Sequence, residues 1–296
     1  MLTRRALGLA ALAALAAVPA RAAATRLVIA GGGLAEIVYA LGARATIVGV
    51  DSTAQFPTAL RALPRIGYLR NLSAEGVLSL RPDLLLASAD AGPPEALERL
   101  AAAGLRIVRV ARIDSAEALL GAVPVVAAAI DRGTEGARLT AALAEDFAAL
   151  AGMLAVLPGR PQVVFVLAIG GGAPQAAGRD TAADTMLALA GARNVIAGYR
   201  GYRPVSPESL LAVPPEAVIT TSHTLEALGG IEGLRAIPAL AVLGAVQARR
   251  IVALDTLYLL GFGPRTAHAA RDLAAALHGE SRIARLPHRP WLEDIA

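Results

Sequence analysis

Gly67-Tyr68-Leu69-Arg70-Asn71-Leu72-Ser73-Ala74-Glu75 is written twice in this chain, and the duplication points to the fold. The second copy is Gly201-Tyr202-Arg203-Pro204-Val205-Ser206-Pro207-Glu208, one residue shorter. Both read Gly-Tyr, a short turn, an apolar residue and then Ser-x-Glu. The continuation also matches, with Val77 to Leu86 answered by Leu210 to Ile219. Upstream, Ala35-Glu36-Ile37-Val38-Tyr39-Ala40-Leu41 is echoed by Ala183-Asp184-Thr185-Met186-Leu187-Ala188-Leu189. Each of those follows a strand-like run and a glycine triplet, Gly31 to Gly33 and Gly170 to Gly172. One such match is easily accidental; three in the same order point to two similar units.

The local chemistry of each unit is legible. Ser73 and Ser206 are suited to accept a backbone N–H bond at a helix start. Glu75 and Glu208 then fall in the first turn, where the helix dipole favours a carboxylate. Pro82 and Pro215 end the short helix, and buried-strand patterns follow over Leu84 to Ala87 and Val218 to Thr220. Strands alternating with helices imply parallel-sheet α/β units. Between the copies, Thr134 to Leu157 contains no proline, and Leu139, Leu143, Phe147, Leu150 and Leu154 recur at three- and four-residue spacing. That is an amphipathic helix. About 22 residues at 1.5 Å each give roughly 33 Å, enough to bridge two domains. The layout read from the sequence is an amino-terminal α/β lobe over 25–131, a connecting helix over 132–158 and a second α/β lobe over 159–296. A helical connection of this kind predicts small hinge closure.

The first 22 residues read as a secretory signal. Arg4 and Arg5 precede an apolar run from Ala6 to Val18, and Ala20-Arg21-Ala22 supplies a small-x-small cleavage site. The run is shorter than the roughly 20 apolar residues that span a membrane; a retained anchor helix is the alternative. The Thr3-Arg4-Arg5 start resembles a twin-arginine signal only loosely. Without residues 1–22 the chain carries 25 basic against 24 acidic residues. The high isoelectric point arises because every basic residue is arginine, and no dense basic run or aromatic platform points to nucleic acid. The absence of cysteine excludes disulfides, thiolate metal sites and cysteine nucleophiles.

The Gly31 to Gly33 triplet does not complete a dinucleotide fingerprint, because its last glycine position is Glu36. Glycines in a cleft loop would still let a flat ligand approach the backbone. No G-x-S-x-G elbow is present, and His223, His268, His278 and His288 show no metal-ligand spacing. His223 alone follows a strand directly, which puts it at the carboxyl end where ligands of open α/β sheets collect. Tyr68 has the strongest chemical case. Arg70 lies two residues on, a nearby cation favours the phenolate form of a tyrosine, and phenolate is a hard oxygen donor for ferric heme iron. A packing residue with a surface hydroxyl is the alternative.

Taken together, Pro64-Arg65-Ile66-Gly67-Tyr68-Leu69-Arg70-Asn71-Leu72-Ser73-Ala74-Glu75-Gly76-Val77-Leu78-Ser79-Leu80 resembles the periplasmic heme-binding proteins of bacterial hemin ABC importers, of the helical-backbone class of solute-binding proteins. Supporting stretches are Glu36 to Gly42, Ala177 to Asp184, Leu225 to Gly230 and Leu260-Gly261-Phe262-Gly263-Pro264-Arg265. The resemblance implies two Rossmann-like parallel-sheet lobes joined by a long helix, with a ligand cleft between them. It implies a periplasmic, non-enzymatic, monomeric carrier of ferric heme b. Tyr68 matches the axial tyrosinate and Arg70 its hydrogen-bonding companion. Glu75 and Glu208 match the acidic pair, one per lobe, that docks on the permease dimer of an importer with its ATPase. Tyr202 enters as the repeat partner of Tyr68. The chain departs from some relatives in having no histidine at Gly170 to Gly172, and Thr221-Ser222-His223-Thr224 where others place an arginine. Five-coordinate iron on Tyr68 is therefore the expectation, with His223 as the variant second ligand. The alternatives are a cobalamin or ferric-siderophore carrier of the same class, and an exported α/β enzyme.

Overall fold

The computed structural model describes residues 26–167, 175–204, 210 and 213–294. The signal-like residues 1–22, the second glycine triplet and Glu208 lie outside the described residues. The first sheet is built from β1 (Leu27–Ala30), β2 (Ile47–Val50), β5 (Leu84–Ser88) and β6 (Arg106–Val110), in the order β2-β1-β5-β6 and parallel throughout. A two-stranded ribbon, β3 (Gly67–Tyr68) and β4 (Asn71–Leu72), stands apart from it. The helices of this half are α1 (Gly32–Ala40), α2 (Ala74–Ser79), α3 (Pro94–Ala102) and α4 (Ala116–Ala129).

Strands of a parallel sheet are covered on both faces, so they read as unbroken apolar runs. Alternation then sorts the side chains. Leu27, Ile29, Leu84 and Leu86 join one core with Ile37, Val38, Leu119 and Val123. Val28, Ala30, Leu85 and Ala87 join the opposite core with Ile66, Leu72, Val77 and Leu100.

Helix α5 (Gly133–Ala155) connects the halves, about 35 Å long at 1.5 Å per residue. Its apolar stripe serves two cores in succession. Leu139 and Leu143 belong to the first lobe's core, Leu150 belongs to the second lobe's, and Phe147 packs against both.

The second sheet contains β7 (Gln162–Leu167), β8 (Gln175–Ala177), β9 (Arg193–Asn194), β10 (Tyr202–Pro204), β11 (Ala217–Thr221) and β12 (Ile251–Leu254). Its path is β10-β8-β7-β11-β12, with β9 also pairing β7. The pairs of β7 with β11, β11 with β12 and β7 with β9 are parallel, but β8 runs antiparallel to β7 and β10 antiparallel to β8. The sheet is thus mixed where the repeat implied a parallel one. The connection from β7 to β8 is too short for the crossover a parallel return requires, a dozen residues or more. Helix α6 (Ala182–Leu189), α7 (Ser222–Ala227), α8 (Thr256–Leu260) and α9 (Thr266–His278) complete this half, together with three short helices over 231–247.

Two further links tie the lobes. The first is the glycine triplet. A side chain on Gly33 would stand 2.1 Å from the Gly261 carbonyl oxygen, and one on Gly32 would meet Leu257 and the Thr53 carbonyl at 2.6 Å. Gly32 and Gly33 therefore let the 257–261 segment of the second lobe pack closely against this backbone. Beside it, Glu36 of α1 and Arg265 form a buried ion pair, with Nε at 3.0 Å from Oε2 and Nη2 at 2.6 Å from Oε1. The second link is the carboxyl-terminal segment. Arg289 grips Asp146 of α5 (2.6 Å), Trp291 donates to the Pro264 carbonyl (3.2 Å), and Asp294 accepts from Thr58 of the first lobe.

Candidate functional site

Gly67 opens the ribbon at φ 101°, a backbone geometry that disfavours side chains, and a Cβ there would lie 2.6 Å from the Asn71 carbonyl oxygen. Only glycine lets β3 close on β4. The ribbon is then pinned from outside. Ser52 N–H donates to the Gly67 carbonyl (2.9 Å), Leu72 N–H to Gly92 (2.8 Å), and Gly92 N–H to Leu69 (3.0 Å). Buried Leu72 anchors its apolar side, while Tyr68 on the other strand remains 47% exposed.

Tyr68 and Arg70 are brought together as their spacing suggested: Arg70 Nη1 donates to the Tyr68 phenol oxygen at 3.0 Å. Arginine does not deprotonate in proteins, so this positive charge stays available to an anionic oxygen. The other end of the same guanidinium reaches Asp90 Oδ2 (3.4 Å), whose Oδ1 accepts from Arg112 at 2.6 Å. Asp90 follows β5 and Arg112 follows β6, so the cluster sits at the carboxyl ends of parallel strands. Neither residue was singled out by the sequence. Asp90 lies in a motif-free Ser-Ala-Asp-Ala-Gly run, and the one available signal was its place just past a strand.

Immediately downstream, Ser73 caps α2 by accepting from Gly76 N–H at 3.0 Å. Glu75 sits exposed in the first turn of α2.

The second-lobe candidates are placed differently. His223 is exposed at the start of α7, directly after β11, with Thr221 capping that helix through the Thr224 N–H at 3.1 Å. Tyr202 is not the exposed counterpart of Tyr68. It lies on β10, paired with buried Ala177 of β8, and packs on the second lobe's core. Burial pushes its phenol above the usual tyrosine range, only partly opposed by hydrogen bonds with the Ala183 backbone and the Thr181 side chain. A phenol kept neutral in this way is a poor anionic donor. Among the described residues, no group of three or more His, Cys, Asp or Glu could hold a metal ion.

A family model described as periplasmic binding protein matches residues 27–257. The chain is 41% identical to the periplasmic heme-binding protein RhuT from Roseiflexus sp. RS-1, whose apo structure superposes with a TM-score of 0.83 over 87% of this chain and 98% of that one. It is 24% identical over 250 residues to the uncharacterized ABC transporter substrate-binding lipoprotein YvrC of Bacillus subtilis, covering 83% of this chain and 77% of that protein. A shorter match, 31% over 72 residues, joins it to the vitamin B12-binding protein of Vibrio vulnificus, 24% of this chain and 26% of that protein.

Proposed function

The chain belongs to the periplasmic binding protein family, and we propose that it captures ferric heme b on Tyr68 and delivers it to an ABC importer. The observation that carries this reading is the exposed Tyr68 phenol with Arg70 donating to its oxygen at 3.0 Å. A phenolate oxygen is a hard donor suited to ferric heme iron, and the Arg70 guanidinium stands at hydrogen-bond distance from that oxygen. The likeness to a heme-binding protein at 41% identity supports the choice of ligand.

In this reading the iron is five-coordinate, with the apolar ring against aliphatic surfaces between lobes 25–131 and 159–296 and the propionates at the solvent edge. His223 is the one candidate for the opposite face, and His223→Ala leaves the spectrum unchanged if that face is open. Glu75 and Glu208 form the docking pair for a two-fold permease, residues 1–22 direct export, and the carrier works as a monomer. Reversing both glutamates abolishes heme import in cells without changing heme binding; import that survives rejects the docking role.

The deciding experiment is a titration of purified protein with ferric heme, followed by visible spectroscopy. Wild type gives a high-spin tyrosinate spectrum and Tyr68→Ala does not; an unchanged titration in the variant rejects Tyr68 as ligand. The second reading, a corrinoid carrier, draws on the vitamin B12-binding relative. Titration with cyanocobalamin separates the two, since saturable binding of cobalamin without heme would reverse the assignment.

A further inference from the structure

We propose that Asp90 is a positioning residue of the heme site, holding the Arg70 guanidinium against the Tyr68 phenol oxygen. The inference rests on the reading of Tyr68 as the iron ligand. Arg70 is an exposed residue on the turn of a short ribbon. Unheld, its four-bond side chain would sample many rotamers, and fixing them costs free energy on every binding event.

The structure removes that freedom from two directions at once. One terminal nitrogen of Arg70 meets the phenol oxygen at 3.0 Å and the other meets Asp90 Oδ2 at 3.4 Å. Two contacts from opposite ends of a planar fork fix its plane as well as its position, which a lysine ammonium could not do.

Asp90 can act as an anchor because its own loop is held. Gly92, two residues on, exchanges backbone hydrogen bonds with the tyrosine ribbon at both Leu69 and Leu72. Arg109 Nη2 donates to the Ala89 carbonyl at 3.0 Å, and Arg112 holds the second carboxylate oxygen at 2.6 Å. Strand ends and ribbon thus form one platform, and the carboxylate joins the guanidinium of Arg70 to that of Arg112. Electrostatics alone would assign Asp90 the opposite role, since a carboxylate near a phenolate opposes its charge. The sign of the effect therefore distinguishes positioning from simple charge.

The test measures heme release from the ferric complex into excess apomyoglobin, together with the wavelength of the tyrosinate-to-iron charge-transfer band. Arg70→Gln speeds release about tenfold, the size expected when a charge-assisted hydrogen bond is lost. Asp90→Ala acts in the same direction by a smaller factor and moves the band toward its position in Arg70→Gln. Asp90→Glu restores most of the wild-type rate, and the Asp90→Ala/Arg70→Gln double variant releases heme no faster than Arg70→Gln alone. The melting temperature without heme stays within about 2 °C of wild type, because exposed ion pairs contribute little to stability. Slower release in Asp90→Ala, no change in its band, or additivity in the double variant overturns the proposal while leaving Tyr68 as ligand. A Tyr68→Ala protein with the wild-type spectrum rejects the underlying reading instead.

Discussion

Replacing Arg265 with alanine isolates the interaction that joins the two lobes most directly. Glu36 and Arg265 lie 229 positions apart and meet with side chains only 4% and 11% exposed, respectively. The guanidinium also lies 3.6 Å from the centre of the Phe56 ring, contributed by the first lobe, and 5.1 Å from that of Tyr258, contributed by the second. Removing one partner of a buried pair costs about 3–5 kcal/mol, because a charge is left without compensation. Loss of the ring contacts adds about 1 kcal/mol. Burial already holds the Glu36 carboxyl above the usual carboxylate range, with Arg265 opposing it and Asp255 adding to the rise. Without Arg265 that opposition is gone, the carboxyl rises further, and the folded variant escapes part of the penalty by taking up a proton.

The pH dependence follows from linkage. A carboxyl whose folded pKa is raised binds a proton that the unfolded chain, near pKa 4.3, has already released, so stability falls as pH rises between the two values. Wild type shares this direction with a smaller shift. The difference between the proteins therefore grows with pH, by up to about 1.4 kcal/mol per unit. Urea unfolding followed by circular dichroism on heme-free protein should give a loss of about 4 kcal/mol at pH 7.5 and about half that at pH 5.5. A Glu36→Gln/Arg265→Met double variant, with no buried charge, should regain more than half of the loss. A variant within 1 kcal/mol (about one-quarter of the expected loss) of wild type at pH 7.5, or a loss that deepens as pH falls, refutes the reasoning.

Gly67→Ala places a methyl group 2.6 Å from the Asn71 carbonyl at positive φ. The resulting strain, about 2 kcal/mol, distorts the ribbon, so heme affinity drops tenfold or more while the far-ultraviolet spectrum is unchanged; wild-type affinity contradicts this. Leu143→Ala opens a cavity where α5 enters the first core and costs about 3 kcal/mol in thermal unfolding; a loss under about 1 kcal/mol would mean that the helix is not packed there. Burial lowers the His268 imidazole pKa, with the Asp146 carboxylate 3.5 Å away working against it. The stability this contributes is full above about pH 6.5 and fades as pH falls below it. His268→Gln should therefore melt with a shallower pH slope than wild type between pH 7.5 and 5.5, and an identical slope would exclude the residue from that transition.

The parts legible in the sequence are those whose cause is local. The stripe from Leu139 to Leu154 read as a connecting helix over 132–158, and α5 runs Gly133–Ala155, one residue short of that reading at its start and three at its end, where helix ends fray. Ser73 announced its cap, and Tyr68 met Arg70 because two residues on a tight ribbon leave little room for anything else. The repeat misled where the surroundings of the copies diverge. Tyr68 stands exposed on a separate two-stranded ribbon, whereas Tyr202 is hydrogen-bonded into a sheet edge whose alternation turns it onto the core. Glu36 and Arg265 both lie in segments that carry the family resemblance, but nothing in either composition says that they meet. Asp90 and Arg112 follow successive strands, and their convergence depends on the β5–β6 register.

The three links between lobes bear on how ligand exchange is achieved. Helix α5 donates side chains to both cores, so tilting one lobe on the other disturbs packing at Phe147, which touches each. Opening at α1 would separate Glu36 from Arg265 at a cost of about 3–5 kcal/mol. Freeing the carboxyl-terminal segment would strip Arg289 from Asp146, whose side chain is wholly buried. A ligand can shift such an equilibrium only by the difference in its affinity for the two arrangements. Wide opening would therefore need several kilocalories per mole from the ligand's preference for the open arrangement. The ribbon carrying Tyr68 is fastened to the same frame, by backbone hydrogen bonds to Ser52 and Gly92 and by Leu72 in the first lobe's core, so it moves with that lobe.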